Sequence, residues 1–262
     1  MNTHTQLEIP CHFGRGQDLF GIYHPGSFEH GTGVLLCPPL GQDLIRCHRL
    51  YRQLAHALAG IGADVLRFDY YGTGDSAGAS EEVEWPRCLA DVATAAERLR
   101  MRGGCRRIIG IGARLGGSLA LAAAEDARLD QLILWDPILD GAAHVAALDA
   151  LQVALRFDPN RFTAPRPAAE LAGQWQGFAT GVSFRQQLAE LRLDPPQRRT
   201  LLLLSAETCV TAHPHRFTNA GAEVVELSLP TPWDELARLE TMIQSHELID
   251  IVRRRVQEAS HA

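Results

Sequence analysis

Arg107-Ile-Ile-Gly-Ile-Gly-Ala-Arg-Leu-Gly-Gly-Ser-Leu-Ala-Leu-Ala122 reads as a buried strand that passes through a tight glycine-rich turn into a helix. Its centre, Gly112-Ala113-Arg114-Leu115-Gly116, has the outline G-x-S-x-G, with Arg114 where that pattern places a nucleophilic serine. Small residues are needed around such a turn because strand and helix meet at close range with strained backbone angles. The small residues are present and the hydroxyl is not. A guanidinium stays protonated at physiological pH and attacks nothing.

Outward from this stretch, short apolar runs alternate with helical spacing. Residues 7–13 and 19–23 read as a hairpin around the turn cluster Gly14-Arg-Gly-Gln-Asp18. Strands are expected over 33–37, closed by Pro38-Pro39, and over 63–68, 131–136, 200–205 and 223–229. Helices are expected over 48–60, 86–102 and 115–125, and the pattern Leu236, Leu239, Met242, Ile243, Leu248, Ile249 predicts another near the C-terminus. Strands alternating with helices at this spacing imply a mainly parallel sheet covered on both faces, with an antiparallel edge from the opening hairpin.

The alternation stops between Pro137 and Pro196, where helical stretches sit among Pro159, Pro165, Pro167, Gly173, Gly177 and Gly181. Trp175, Phe178 and Phe184 make this stretch too apolar for a disordered linker. It is expected to be a helical cap (137–196) over the carboxyl edge of a core made of 1–136 and 197–262, the edge where open α/β sheets place their ligands.

A chain of 262 residues buries roughly three quarters of its unfolded surface, so it needs no disulfide or metal for stability. A net charge of −6 with scattered basic residues argues against general nucleic-acid affinity. The six cysteines show neither C-x-x-C pairs nor metal-ligand spacing, and several fall in apolar patterns where a free thiol behaves as a small hydrophobe. Met1 is followed by polar residues without a signal core, and no apolar run approaches the ~18–20 residues of a membrane span. A cytoplasmic protein without metal or cofactor is expected.

Three motifs together resemble the α/β-hydrolase fold in its serine-aminopeptidase-like (S33-type) branch. They are Val65-Leu-Arg-Phe-Asp-Tyr-Tyr-Gly-Thr-Gly-Asp-Ser-Ala-Gly78, the elbow outline, and Leu35-Leu-Cys-Pro-Pro-Leu-Gly-Gln-Asp43. The last stands where that family carries its oxyanion turn, so the resemblance implies that Leu40, Gly41 and Leu115 border a substrate. A narrower likeness is carried by the 37–43 segment with Arg46 and Arg49, by Glu84-Trp85 with Asp91, and by Leu134-Trp-Asp-Pro-Ile-Leu-Asp-Gly141. These resemble the hydrolase-like proteins of bacterial exosortase and exopolysaccharide gene clusters, where an arginine at the elbow recurs.

A serine triad needs a nucleophile, then an acid, then a histidine in chain order. Arg114 removes the first. Gly74-Asp-Ser-Ala-Gly78 matches G-x-S-x-G literally, but no helix starts at Ser76, which leaves it a weak nucleophile candidate. The acid should follow the 200–205 strand, where only Glu207 is available; Asp136 is an alternative, although Pro137 favours a plain turn. The histidine should lie near Pro230-Thr-Pro-Trp-Asp234 and is missing; His246 is expected well inside a helix. His213 and His215 lack a third metal ligand.

Losing nucleophile and base together should remove on the order of 10⁶ in rate. Arg114 at the elbow would either hold a ligand anion or pair internally with Asp136, Glu207, Asp75 or Asp43. The expected function is therefore binding of an acidic or acylated small molecule, or of a protein partner, without serine hydrolysis. The alternative is an esterase- or thioesterase-like enzyme using a non-serine mechanism or a carboxylate-activated water.

Overall fold

The apolar runs pair into one eight-stranded sheet in the computed structural model, which describes residues 7–27, 31–195, 198–205 and 214–260. In chain order the elements are β1 (Ile9–Phe13), β2 (Leu19–His24), β3 (Thr32–Cys37), α1 (Gln42–Gly60), β4 (Asp64–Phe68) and α2 (Trp85–Gly103). There follow β5 (Arg107–Ala113), α3 (Arg114–Ala122), β6 (Gln131–Trp135), α4 (Gly141–Arg156), β7 (Gln174–Trp175), β8 (Phe178–Ala179) and α5 (Val182–Glu190). The chain then completes β9 (Thr200–Ser205), α6 (Pro214–Asn219), β10 (Glu223–Leu227) and α7 (His246–Ser260).

The strand order is β1-β2-β4-β3-β5-β6-β9-β10. Only the β1–β2 and β2–β4 pairings are antiparallel, so the expected parallel sheet with an antiparallel edge is what forms. Alternate side chains of each strand face opposite helical layers. Val34, Leu36, Ile109, Ile111, Leu201 and Leu203 pack with Leu50, Leu54 and Leu58 of α1 and Val252 and Val256 of α7. Leu35, Leu66, Ile108, Leu132, Leu202 and Leu204 pack on the other face, with Val92, Ala96 and Leu99 of α2 and Leu119 of α3. A doubly covered α/β sheet is the architecture.

Two helices depart from the sequence pattern for identifiable reasons. α1 begins at Gln42 rather than near residue 48. Its first turn is anchored by polar groups, to which apolar periodicity is blind: Gln42 donates to the Leu239 carbonyl at 2.7 Å, and Arg46 is almost fully buried. The 236–249 pattern is not one helix. A three-residue 3₁₀ turn (Leu236–Arg238) and a loop precede α7, whose first residue is His246. His246 is therefore an exposed residue at a helix start, not one placed turns inside it.

Between β6 and β9 the chain forms α4, the small β7–β8 hairpin and α5. α4 and α5 pack closely: a Cβ on Gly141 would fall 1.7 Å from the Leu188 carbonyl oxygen. Asp140 caps α4 by accepting from Ala143 N at 3.0 Å.

The β5–α3 turn is equally tight. A Cβ on Gly112 would lie 2.4 Å from the Gly116 carbonyl oxygen, and one on Gly116 would lie 2.4 Å from both the Cys37 and Pro38 oxygens. Backbone thus meets backbone where α3 crosses the end of β3, and no side chain can yield. Gly116→Ala is expected to destabilise the protein by about 3 kcal/mol or more, or to prevent folding, as read by urea denaturation.

Candidate functional site

Arg114 occupies the apex of the turn with φ of +50°, in the left-handed region that non-glycine residues enter only under constraint. The neighbouring Ala113 N–H, leaving the sheet, donates to the Tyr51 hydroxyl at 2.9 Å, and that hydroxyl donates to the Cys37 carbonyl at 3.0 Å. The buried tyrosine therefore ties β5 to β3 directly beneath the turn.

The Arg114 guanidinium is enclosed. Its Nε donates to Asp43 Oδ2 at 3.3 Å, and NH2 donates to Asp234 at 3.1 Å (Oδ1) and 3.4 Å (Oδ2). Its central carbon stands 5.3 Å from the Trp233 ring centroid, within cation–π range. Of the internal partners expected from the sequence, Asp43 is found and Asp234 is added. Asp75 is instead exposed in its loop, with its N–H donating to Asp69.

Asp43 lies in the first turn of α1, beside the expected oxyanion turn, and Asp234 lies in the loop after β10 where a triad histidine was sought. The arginine thus bridges the two segments that flank a serine in a working triad. Burial raises the Asp43 carboxyl above its usual range, against the lowering pull of the Arg114 and Arg46 charges.

The loop carrying Asp234 is held by two further anchors. Arg46 donates through NH1 to the Trp233 carbonyl (2.7 Å), through NH2 to Pro232 (2.6 Å) and through Nε to Thr241 (3.2 Å). The second anchor is Asp136, which is wholly buried with φ of +43°. Its carboxylate accepts from Ser205 N (2.8 Å), Ser205 Oγ (2.5 Å) and Trp233 Nε1 (2.7 Å). Asp136 is thus a clamp between β6, β9 and the Trp233 loop, with its oxygens committed and sealed from solvent.

The other sequence candidates are placed as follows. Ser76 Oγ donates to the Asp69 carbonyl at 2.7 Å and accepts from Phe20 N at 2.9 Å, which occupies it in holding its loop against β2. Glu207 and His213 lie outside the described residues. Cys37, Cys47 and Cys88 are buried, and burial raises all three thiols, Cys37 to about 12, which disfavours a thiolate nucleophile.

A cavity of about 470 Å³ opens beside the turn, within the ~300–1,000 Å³ common for small-molecule sites. Leu40, Gly41 and Leu115 line it; Arg114 does not, and the charged groups presented there are Asp43, Asp234 and Glu81. The far wall is built from the β6–β9 segment: His144 and Leu148 of α4, Trp175 and Phe178 of the hairpin, Phe184 and Leu188 of α5. His144 escaped the sequence reading because nothing local marks it; only the docking of α4 brings it to the cavity. It is 7% exposed, and burial together with the Arg114 charge lowers its pKa to about 3.

Elsewhere, Glu8, His24 and His56 bring ligand-type atoms within 4.8 Å of one another. Two guanidiniums meet that cluster: Arg52 bonds Glu8 at 2.8 and 3.1 Å, and Arg67 Nε donates to His24 Nε2 at 3.2 Å. Glu8 and His24 Nε2 are thereby engaged by guanidiniums, while His24 Nδ1 has no hydrogen-bond partner among the described residues.

The model of the serine aminopeptidase S33 family matches residues 45–176. The chain belongs to that family. No curated protein matches it. Among solved structures it is similar to an α/β serine hydrolase without lid from Xanthomonas campestris (14% identity, 100% of this chain and 96% of that one, TM-score 0.56). It is also similar to an esterase of Pyrococcus furiosus (12% identity, 97% and 90% covered, TM-score 0.63). A third match is the mouse α/β hydrolase domain-containing protein 10 (17% identity, 96% and 99% covered, TM-score 0.60). At these identities the likeness is one of fold, and it gives the sheet described above its name: the α/β-hydrolase fold. No helix among the described residues is long and apolar enough to cross a membrane.

Two outcomes follow from the charges. Arg114→Ala leaves two carboxylates without their shared cation, one of them half-buried, and is expected to cost about 1–3 kcal/mol of stability in urea denaturation. His144 is lowered from 6.5 to about 3 on folding, so between those values the unfolded chain binds a proton that the folded chain refuses. Stability should therefore fall as pH drops below about 6.5. At pH 5 this one group costs about 2 kcal/mol, and the loss between pH 7.5 and 5 should be smaller by about that amount in His144→Leu.

Proposed function

We propose that this α/β-hydrolase-fold protein uses its cavity to bind an apolar, acyl-type small molecule and performs no serine hydrolysis. The observation that carries this reading is the Arg114 guanidinium, held at the elbow between Asp43 and Asp234. Where a triad has a hydroxyl facing an imidazole, this chain has a cation facing a carboxylate. The pair supplies neither the nucleophile nor the imidazole base that serine-type acyl transfer requires.

The cavity wall supports an acyl chain as the ligand's body. Leu40, Leu148, Phe178, Phe184 and Leu188 give one side of the space an apolar wall, and it is too large for a single water. The acidic half of the expectation has weaker support, since two internal carboxylates already offset the Arg114 charge. In this reading residues 137–196 act as the cap. The resemblance to the exosortase-associated group, in which an elbow arginine recurs, supports treating Arg114 as a settled feature of a remade site.

The alternative reading, a hydrolase that activates water through a carboxylate, does not gain from Asp136, whose oxygens are sealed by Ser205 and Trp233. Its other candidate, Glu207, lies outside the described residues.

A fluorophosphonate probe tests the reading directly. Neither the native protein nor Arg114→Ser should be labelled, because a serine restored at residue 114 still finds Asp234 in place of a base. Stoichiometric labelling of the native chain at any serine would refute the non-hydrolytic reading. Leu148→Trp, which fills the cavity, is expected to reduce binding of a lipophilic fluorescent probe at least tenfold while leaving the melting temperature within a few degrees.

A further inference from the structure

The His144 imidazole is more than nine-tenths buried, lines the cavity, and makes no hydrogen bond to any other described residue. The ring's polar atoms can be satisfied only from the cavity side, by water or by a ligand. Nothing about its position is loose. Asp140 caps the first turn of α4, and the Gly141–Leu188 approach leaves no room for the helix to roll. The ring is therefore presented to the cavity by a rigid support.

The charges around the ring define what it can meet. Arg114 is the cation that acts on it, and Arg114 is turned away toward Asp43 and Asp234. The groups that share the cavity surface with it are the carboxylates Asp43, Asp234 and Glu81. Held neutral by burial, the imidazole offers one N–H donor and one lone-pair acceptor. A ligand carboxylate would find no charge on the ring to pair with and would have to compete with Asp43 and Asp234 for Arg114. A hydroxyl can both donate to and accept from such a ring, and it brings no charge.

We infer that His144 is the ligand-reading residue of this cavity, and that the ligand class is an uncharged lipophilic alcohol, bound in preference to the corresponding free acid. The inference rests on the binding reading above, keeping its apolar chain and changing the head group from acyl to hydroxyl. The apolar wall holds the chain, and His144 fixes its hydroxyl end beside the elbow. A buried imidazole–hydroxyl hydrogen bond is worth about a factor of ten in affinity when its loss leaves the hydroxyl unpaired.

Calorimetric titration of the full chain with 1-octanol, octanoate and 1-chlorooctane tests this. The native protein should bind 1-octanol at least tenfold more tightly than octanoate. His144→Leu should weaken 1-octanol about tenfold and leave 1-chlorooctane, which has no hydroxyl, within twofold. His144→Gln keeps a donor and an acceptor and should retain 1-octanol binding within about threefold; melting curves confirm that each variant is folded. Unchanged 1-octanol affinity in His144→Leu, a tenfold loss in His144→Gln, or octanoate binding as tight as 1-octanol would overturn the role of His144 while leaving a lipophilic site intact. If none of the three compounds binds, or if Leu148→Trp binds 1-octanol as the native protein does, the cavity-binding reading itself fails and takes this inference with it.

Discussion

The ion pair that spans the elbow organises the site. Arg114 stands at the apex of a strained turn and reaches Asp43 on one side and Asp234 on the other. Those carboxylates belong to the first turn of α1, which follows β3, and to the loop after β10, and the two segments meet at the carboxyl edge of the sheet. A guanidinium buried there needs compensating charge, and Asp43 and Asp234 supply it. The pairing fixes the mutual position of both segments and so shapes one wall of the cavity.

The pair is braced from behind by residues with no part in ligand contact. Asp136 collects three hydrogen bonds from Ser205 and Trp233, and Arg46 caps the carbonyls of Pro232, Trp233 and Thr241. Asp136 also adopts a positive φ that its bonds must hold. The strand–turn–helix at residue 114 and the segments beside it are thus tied together by one cation and two anions. What remains open to a ligand is the apolar space between Leu40, Leu115 and the α4–α5 wall.

Much of the sheet was legible because a parallel strand buried on both faces must be a continuous apolar run. The segments at 33–37, 131–136 and 200–205 say so without ambiguity, and Gly112 and Gly116 announce the turn by their lack of side chains. Helix ends were less legible. α1 starts six residues before its apolar pattern because its first turn is held by Gln42 and Arg46, whose bonds run to residues nearly two hundred positions away. The site was readable where a residue was absent: no serine at 114, no histidine near 234. It was unreadable where a residue was present for a reason of packing, as with His144.

By itself the sequence determined the order of strands and helices, the elbow and its missing hydroxyl, because periodicity, glycine and residue identity are local properties. Only the tertiary structure decided what Arg114 does. Its two partners stand 71 and 120 residues away, and the choice among several acidic candidates depends on which loops the twisted sheet brings together. Likewise only the docking of α4 on α5 turns a histidine on an ordinary helix into a buried, unpaired ring facing a cavity. Long-range electrostatics and packing have no signature in a linear pattern, since both are properties of distance in space.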